Sequence, residues 1–252
     1  MISALLICYN EEKIIRRCLE SIKWIDEIVV VDAYSTDETL KICKQYTDKI
    51  YEKKWEGFSR QKIFGLTKCN GDWIFSIDAD EICTEQLKEE IINKIKNSDC
   101  KEDGFLIPRK NYFKNHRLKF GGSYPDYQLR LFRKTKATVN ERLVHESFKV
   151  DGIISKLKNC IEHYPYRNFN QYLEKINTYS SLSAQEKFNL GKKTNLFLIV
   201  FNPIFEFKKN YFLQLGFLDG IAGFYKALFH FLSKLYTQIK LWELNYSKKN
   251  NE

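Results

Sequence analysis

The chain lacks the features that would assign it to several common classes of protein. Its seven cysteines are scattered, odd in number and never form a Cys-x-x-Cys pair, which argues against a disulfide framework or a zinc site and favours a reducing compartment. No basic region with a cleavage site precedes the first apolar run, residues 2–7, which therefore predicts a strand rather than a secretory signal. The sequence also shows no internal repeat and no long flexible linker.

Acidic residues are fewer than basic ones, 32 against 41, which leaves a formal net charge of +9. Such an excess suits an anionic partner, namely nucleic acid, an anionic membrane face or a phosphorylated glycan. No recognised nucleic-acid-binding motif occurs, so nucleic acid is not an expected partner. A hydrophobic content of 44% in 252 residues predicts a globular protein with one sizeable core.

Short apolar runs alternate with amphipathic segments through the first hundred residues. Residues 2–8, 27–32, 50–52 and 73–77 have the character of strands, and helical patterns lie between them. This alternation predicts an α/β fold with a mostly parallel sheet and helices on both faces. Beyond Asp103 the strand-like runs are less regular, which indicates a mixed region, and residues 168–190 are again helical in pattern.

Acidic side chains follow two of the predicted strands. Asp78-Ala79-Asp80-Glu81 comes after residues 73–77, and Asp32 ends the strand at 27–32. Open α/β sheets bind ligands at this edge, and two aspartates separated by one residue suit a hard divalent cation bound with phosphates and water. A solvated helix cap is the alternative reading, and it stays open for Asp37. Asn10 is predicted to cap the first helix.

The motifs of the first hundred residues resemble those of the family 2 glycosyltransferases. The matching segments, in family order and at family spacing, are residues 6–12, residues 29–32 with Ser35-Thr36-Asp37, and Gly71-Asp72-Trp73-Ile74 leading to Asp78-Ala79-Asp80-Glu81. The resemblance implies a GT-A fold, a Rossmann-like sheet with helices on both faces. It also implies a nucleotide-sugar donor, a divalent metal (Mg²⁺ or Mn²⁺) and inversion at the anomeric carbon.

The second half resembles one subgroup more closely, the lipopolysaccharide or lipooligosaccharide inner-core β-1,4-glucosyltransferases. The matching stretches are residues 124–133, Val144-His145-Glu146, His163-Tyr164, residues 172–177 and residues 215–220. This resemblance implies transfer of a hexose, with glucose from UDP-glucose expected first. The implied acceptor is an inner-core heptose of a lipid-linked bacterial oligosaccharide.

The family's site residues can be carried over to matching positions. Those implied to bind the nucleotide-sugar donor are Tyr9, Asn10, Glu11, Asp32, Gln61, Lys62 and Asp78. Asp80 would bind the metal, with Asp78 supporting the nucleotide or the water shell of the ion. Two residues depart from the family pattern: Tyr34 stands where relatives often have glycine, and Ile63 where they often have asparagine.

The catalytic base is open between two carboxylates. Inverting transfer needs a group that takes the proton from the attacking hydroxyl, which typically contributes about 10²–10⁴ in rate. Many relatives use a Glu-Asp pair downstream of the metal motif, and this sequence has none in that region. Glu146 is the substitute by position and Asp126 is its competitor, while a purely structural role remains the alternative for each.

From Leu196 onward the chain is apolar and aromatic but interrupted by lysines. Residues 211–233 are long enough to span a bilayer, yet polar residues interrupt them too often for a spanning helix. Apolar aromatics mixed with lysine favour a segment in the interface of an anionic membrane. A helical hairpin packed on the catalytic domain or on a second subunit is the alternative.

The sequence thus predicts a catalytic domain at residues 1–190 and a basic, aromatic helical tail at 191–252, in a cytoplasmic protein peripheral on the inner face of the cell membrane. The expected partners are the donor, a lipid-linked oligosaccharide acceptor and an anionic membrane surface, and a homodimer stays open. A nucleotidyltransferase is a rival, although Tyr9-Asn10-Glu11-Glu12 is not its glycine-rich phosphate loop. A catalytically inactive nucleotide-sugar-binding scaffold at the membrane is the other.

Overall fold

The structure is a computed structural model that describes residues 1–96, 100–140, 148–165 and 169–251, with only the backbone for residues 248–251. The described residues form two compact units. The first, the sheet unit, lies within Met1–Lys110, Pro125–Glu141 and Glu146–His163. The second, the helical unit, lies within Asn111–Tyr124 and Tyr164–Glu252.

Up to residue 78 the helices and strands follow the order that the sequence predicts. The strands are β1 (Ile2–Cys8), β2 (Glu27–Asp32), β3 (Ile50–Glu52), β4 (Trp73–Asp78), β5 (Glu81–Cys83), β6 (Gly104–Phe113), β7 (His116–Arg117), β8 (Asp126–Arg133), β9 (Ala137–Val139), β10 (Phe148–Val150), β11 (Ile154–Lys156) and β12 (Ile161–His163). The helices are α1 (Ile15–Ile22), α2 (Thr39–Cys43), α3 (Phe58–Lys68), α4 (Glu85–Lys96), α5 (Phe169–Asn189), α6 (Leu196–Lys208) and α7 (Gly220–Asn251).

The main sheet has the order β3-β2-β1-β4-β8-β6-β12-β5. The four strands from the first part of the chain are parallel, since β1 pairs with β2 and with β4, and β2 pairs with β3. The later strands β8 and β6 join antiparallel. The predicted α/β architecture, with a parallel first half and a mixed region beyond Asp103, is therefore confirmed.

Both faces of the sheet are covered by helices. Because side chains alternate along a strand, Leu6 of β1 faces one apolar cluster with Ile15 and Leu19 of α1, while Leu5 faces the opposite cluster. On that second face α3 approaches closely at Gly65, where an added Cβ would lie 2.3 Å from Leu5 Cδ1. These two layers fix the orientation of β1 and hence of the loop at its end.

The helical unit has its own core along α7. Phe229 is buried and its ring contacts those of Phe169 and Tyr172 in α5. Ala227 and Leu241, also on α7, are buried as well. Within the described residues, none of the helices combines the length and the apolar character needed to cross a membrane.

Candidate functional site

Three parallel strands of the sheet unit end at one edge and bring acidic residues there. Cys8 at the end of β1 pairs with Asp32 of β2, and the preceding Ile7 pairs with Asp78 of β4. Parallel strands present their carboxyl ends to the same edge. The structure therefore places Asp32 and Asp78 on either side of β1, next to the loop that contains Tyr9, Asn10 and Glu11.

Asp32 organises the two loops at this edge. Its carboxylate is fully buried and accepts hydrogen bonds from the backbone N–H of Ser35 at 2.7 Å and from the Ser35 hydroxyl at 2.5 Å. The Ser35 hydroxyl in turn accepts the N–H of Asn10 at 2.9 Å. Asp32 thus positions the loop after β1 through Ser35, and its predicted contact with uracil or ribose stays a prediction.

Asn10 lies in the left-handed region at φ 53° and bonds across the site. Its side-chain oxygen accepts the N–H of Thr36 at 2.8 Å. The N-cap position of α1 is Ile14, which has no side-chain capping bond, so the prediction that Asn10 caps this helix is wrong. The Asn10 backbone has a left-handed conformation four residues before this cap, so its side chain bonds to the loop after β2 and not to the helix.

Asp37 also joins the two loops. Its carboxylate accepts the N–H of Thr39 at 3.0 Å and, through the other oxygen, the N–H of Glu12 at 3.2 Å. Burial raises the pKa of Asp37, but the bonds from Thr39 and Glu12 outweigh it and lower the pKa overall. Asp37 therefore caps the turn into α2 and at the same time ties that turn to the loop after β1.

Two tyrosines stand exposed on these loops. Tyr9 is 55% exposed and Tyr34 is 54% exposed. Tyr34 has a φ of 64°, a conformation that favours glycine, which is the residue that the family resemblance implies at this position. The departure from the family pattern thus keeps a glycine-like backbone and adds an aromatic ring at the edge of the sheet.

A buried ion network lies behind the Asp78-Ala79-Asp80-Glu81 segment. Arg130 of β8 is buried and donates to the carboxylates of both Asp78 and Glu81. Arg109 of β6 donates to Glu81 at 3.3 Å and to Asp126 at 2.7 and 2.9 Å. The fully buried Glu81 also accepts the N–H of Asp78 at 3.0 Å, so it joins the two arginines to the turn after β4.

This network fixes the charge of Asp78. Burial raises the pKa of Asp78, but the positive charges of Arg130 and Lys62 outweigh it and hold the pKa at about 2. Burial correspondingly lowers the pKa of Arg130, and the charges of Asp78 and Glu81 outweigh that and raise it. Asp78 is therefore a carboxylate at neutral pH and is anchored to the sheet by a guanidinium.

Asp80, the second aspartate of the pair, lies beside a histidine instead. Its Oδ1 is 3.5 Å from Nε2 of His163, and both side chains are about one-seventh exposed, at 15% and 14%. His163 reaches this place because β12 pairs antiparallel with β5, which sets His163 opposite Glu81. In the sequence, His163-Tyr164 is only one of the stretches that match the subgroup, and the position of His163 beside Asp80 follows from strand pairing.

The donor set at Asp80 fits a divalent cation that is completed by substrate. In the described ranges, no group of three or more His, Cys, Asp or Glu side chains is arranged to hold a metal. One carboxylate and one imidazole 3.5 Å apart would supply only part of the ligands of such a cation, and substrate and water would supply the rest. Mg²⁺ typically keeps waters and takes one or two carboxylates together with phosphate oxygens, which this arrangement allows.

Gln61 and Lys62 lie on α3. The Gln61 amide is fully buried and donates to the carbonyl oxygens of Lys53 and Lys54 at 3.0 and 3.1 Å, so it holds the segment after β3. Lys62 is also buried, and its charge contributes to the low pKa of Asp78. Lys62 is thus close enough to the acidic segment to act on it electrostatically.

Of the two candidates for the catalytic base, the structure describes only Asp126. Glu146 lies outside the described residues. Asp126 accepts hydrogen bonds from Arg109 on one oxygen and from Gln128 on the other, the latter at 2.7 Å. Asp126 is therefore occupied as an acceptor in the same ion network that contains Glu81.

Known proteins share both the sequence pattern and the fold. A family model described as glycosyl transferase family 2 matches residues 3–151. The lipopolysaccharide core biosynthesis glycosyltransferase LpsC of Rhizobium meliloti is 28% identical over 249 residues, which cover 96% of this chain and 92% of LpsC. An uncharacterised glycosyltransferase of Rickettsia felis is 33% identical over 261 residues, which cover 99% of this chain and 92% of that protein.

Among solved structures, the chain is similar to glucosyl-3-phosphoglycerate synthase from Mycobacterium tuberculosis, crystallised with phosphoglyceric acid. The TM-score is 0.51 and the identity 15%, and the match covers 77% of this chain and 81% of that one. This likeness concerns the fold alone. It confirms the predicted GT-A architecture.

Proposed function

Because the chain belongs to glycosyl transferase family 2 and is therefore a glycosyltransferase, we propose that it transfers a hexose from a nucleotide sugar to a lipid-linked bacterial oligosaccharide. UDP-glucose is the proposed donor, and an inner-core heptose of lipopolysaccharide or lipooligosaccharide is the proposed acceptor. The name of the relative LpsC, a lipopolysaccharide core biosynthesis glycosyltransferase, supports this acceptor class. The observation that carries the proposal is the Asp80–His163 pair beside the arginine-anchored Asp78 at the edge of the sheet.

In this proposal Asp80 and His163 would hold a divalent cation, Mg²⁺ or Mn²⁺, which would supply positive charge to offset that of the leaving diphosphate. Asp78 is fixed by Arg130. It would therefore contact the nucleotide or the water around the ion from one fixed position. Lys62 adds positive charge near the same segment. The result is a preorganised site, in which charges are set before the donor arrives.

The loops after β1 and β2 would take the nucleoside. The exposed rings of Tyr9 and Tyr34 offer faces on which a flat base can stack, since every base has a π-face. Asn10, Glu11 and Asp32 would provide polar groups beneath it. Asp32 and Ser35 already hold these loops together, which limits the ordering that binding requires.

The proposed chemistry is an in-line displacement. The acceptor hydroxyl forms a bond to the anomeric carbon while the bond from that carbon to the diphosphate oxygen breaks, so the configuration inverts. The hydroxyl proton passes to a carboxylate, for which Glu146 is proposed first. Asp126 is the second candidate, and it would have to give up hydrogen bonds to Arg109 or Gln128 in order to accept a proton.

Transfer assays on purified protein with Mn²⁺, UDP-glucose and heptose-containing acceptor test this assignment. Glu146→Gln is expected to lose transfer by a factor of about 10²–10⁴ while UDP binding is retained. Asp126→Asn is the matched comparison. Full activity of Glu146→Gln with loss in Asp126→Asn would reverse the two roles, and nucleotide binding by the wild-type protein without any turnover would favour an inactive binding protein.

A further inference from the structure

The exposed side of α6 is apolar along its length. Large apolar residues of this helix that are more than one-third exposed are Leu196, Phe197, Val200, Phe201, Ile204 and Phe205. They recur at intervals of three and four residues and therefore lie on one face of the helix. Pro203, from the other side, is buried. We call the six exposed residues the α6 patch.

The α6 patch is as large as the largest contiguous apolar patch of a typical monomer, and such patches often mark interaction sites. Phe197 and Phe205 are each 62% exposed and Phe201 is 52% exposed. At about 200 Å² for an aromatic side chain, these three rings alone leave roughly 350 Å² open, and monomers rarely expose more than a few hundred Å² in one patch. The segment that follows in the chain continues the trend, with Phe212, Leu213, Leu215, Phe217, Leu218 and Ile221 exposed.

Positive charge borders the α6 patch at both ends. Lys192 and Lys193 are exposed just before the helix, and Lys208 is exposed at its last residue. Lys209 follows, with Glu206 as an ion-pair partner at 3.6 Å. A surface that combines aromatic residues with lysines at its border is complementary to anionic lipid headgroups above an acyl layer.

A second copy of the chain fits this surface less well. A twofold contact of one α6 patch with another places the Lys208 end of one helix beside Lys192 and Lys193 of the other, which brings like charges together. The length of α6 also suits a helix lying flat, because 13 residues extend about 20 Å and the hydrocarbon core is about 30 Å thick.

We propose that the α6 patch docks on an anionic lipid bilayer, with the helix in the interface and its lysines at the headgroups. This proposal goes beyond glycosyl transfer, since it needs neither donor nor metal. It is tested by co-sedimentation of the full-length protein with vesicles of phosphatidylcholine and phosphatidylglycerol at about three to one, compared with phosphatidylcholine alone. Binding is expected to the anionic vesicles and to weaken as salt is raised.

The apolar component is tested by Phe201→Asp/Phe205→Asp. Both side chains are exposed, so the fold should persist, and binding to anionic vesicles is expected to fall by about tenfold or more because apolar burial is lost. Ile153→Asp is the matched control, since Ile153 is 56% exposed in the sheet unit. Equal binding by the double variant and the control would overturn the proposal.

The charge component is tested by Lys192→Glu/Lys193→Glu/Lys208→Glu. A control with the same net charge reverses Lys13, Lys44 and Lys101, which are exposed in the sheet unit. Only the first triple variant is expected to lose vesicle binding, and both are expected to keep UDP binding. Sedimentation that shows a dimer, dissociated by Phe201→Asp/Phe205→Asp and indifferent to vesicles, would assign the patch to a second copy instead and overturn the proposal.

Discussion

Glu81 is the residue on which the order of the acidic segment depends. It is fully buried and accepts hydrogen bonds from both Arg109 and Arg130, besides the N–H of Asp78. Its neighbours Asp78 and Asp80 carry the proposed ligand contacts, whereas Glu81 holds the turn that presents them. A carboxylate shared by two guanidinium groups stabilises a site only while all partners remain.

Glu81→Gln should therefore destabilise the protein by roughly 3–5 kcal/mol, because Arg109 and Arg130 then lose a buried counter-charge. Urea unfolding followed by circular dichroism measures the change. Glu85→Gln is the control: Glu85 is 69% exposed and forms an ion pair with Lys88 on the surface of α4, so its loss should cost less than about 0.5 kcal/mol. Equal effects of the two substitutions would contradict the structural role of Glu81.

Tyr34 offers a second test at this scale, on backbone conformation. At φ 64° a side chain costs roughly 1–2 kcal/mol relative to glycine, and glycine loses about 0.5–1 kcal/mol through its greater freedom when unfolded. Tyr34→Gly should thus be as stable as the parent protein or slightly more so. Tyr34→Val should be less stable, since a β-branched residue is poorly tolerated there. Thermal unfolding that ranks valine above glycine would contradict the left-handed conformation.

Glu27 connects several elements at the opposite end of the parallel strands. Its carboxylate is buried at the start of β2 and accepts hydrogen bonds from the Ser3 hydroxyl of β1, from Lys49 before β3 and from the N–H of Asn70 at 2.7 Å. Burial raises the pKa of Glu27, but the bonds from Lys49 and Ser3 outweigh it and lower the pKa to about 2. One side chain thus ties together three strands and the turn before β4.

Glu27→Gln should lower the free energy of unfolding by roughly 1–3 kcal/mol at neutral pH. Because the folded pKa is depressed, the stabilisation by Glu27 is fully present above its unfolded pKa of about 4.3 and is lost as the pH falls towards 2. The stability difference between wild type and variant should accordingly shrink below pH 4. Unfolding curves over this pH range check the trend, and a constant difference would contradict the assigned network.

The local sequence predicts the parallel half of the sheet well and the antiparallel half less so. The apolar runs that become β1, β2 and β4 are continuous and β-branched, so buried strands are their natural outcome. Even in this half one boundary differs, because the helical pattern after β2 extends to Tyr46 whereas α2 ends at Cys43. The bulge between Phe105 and Leu106 in β6 also has no local signature.

The candidate site likewise contains residues that the local sequence predicts and residues that it does not. Asp32, Asp78 and Asp80 are found from their positions at strand ends, since parallel strands share an edge. His163 and Arg109 reach the acidic segment only through pairing of β12 with β5 and of β6 with β8. Those pairings join residues far apart in the chain, and no local pattern specifies their register.

At the scale of the whole molecule, the +9 charge is distributed over two units with different tasks. In the sheet unit, arginines and Lys62 are drawn into the buried network around Asp78. In the helical unit, lysines border an apolar helix face. The excess of positive charge is thus accounted for by a proposed phosphate-binding site and a proposed lipid-facing surface. Nucleic acid is not needed as a partner to explain it.

Calorimetric titration of the full-length protein with UDP, with and without Mn²⁺, tests the central claim most directly. Wild-type protein is expected to bind UDP strongly only when Mn²⁺ is present. Asp80→Asn is expected to lose that metal dependence, while Asp72→Asn, an exposed aspartate in the turn before β4, is expected to keep it. Binding of UDP that is indifferent to Mn²⁺, or unchanged in Asp80→Asn, would contradict the account.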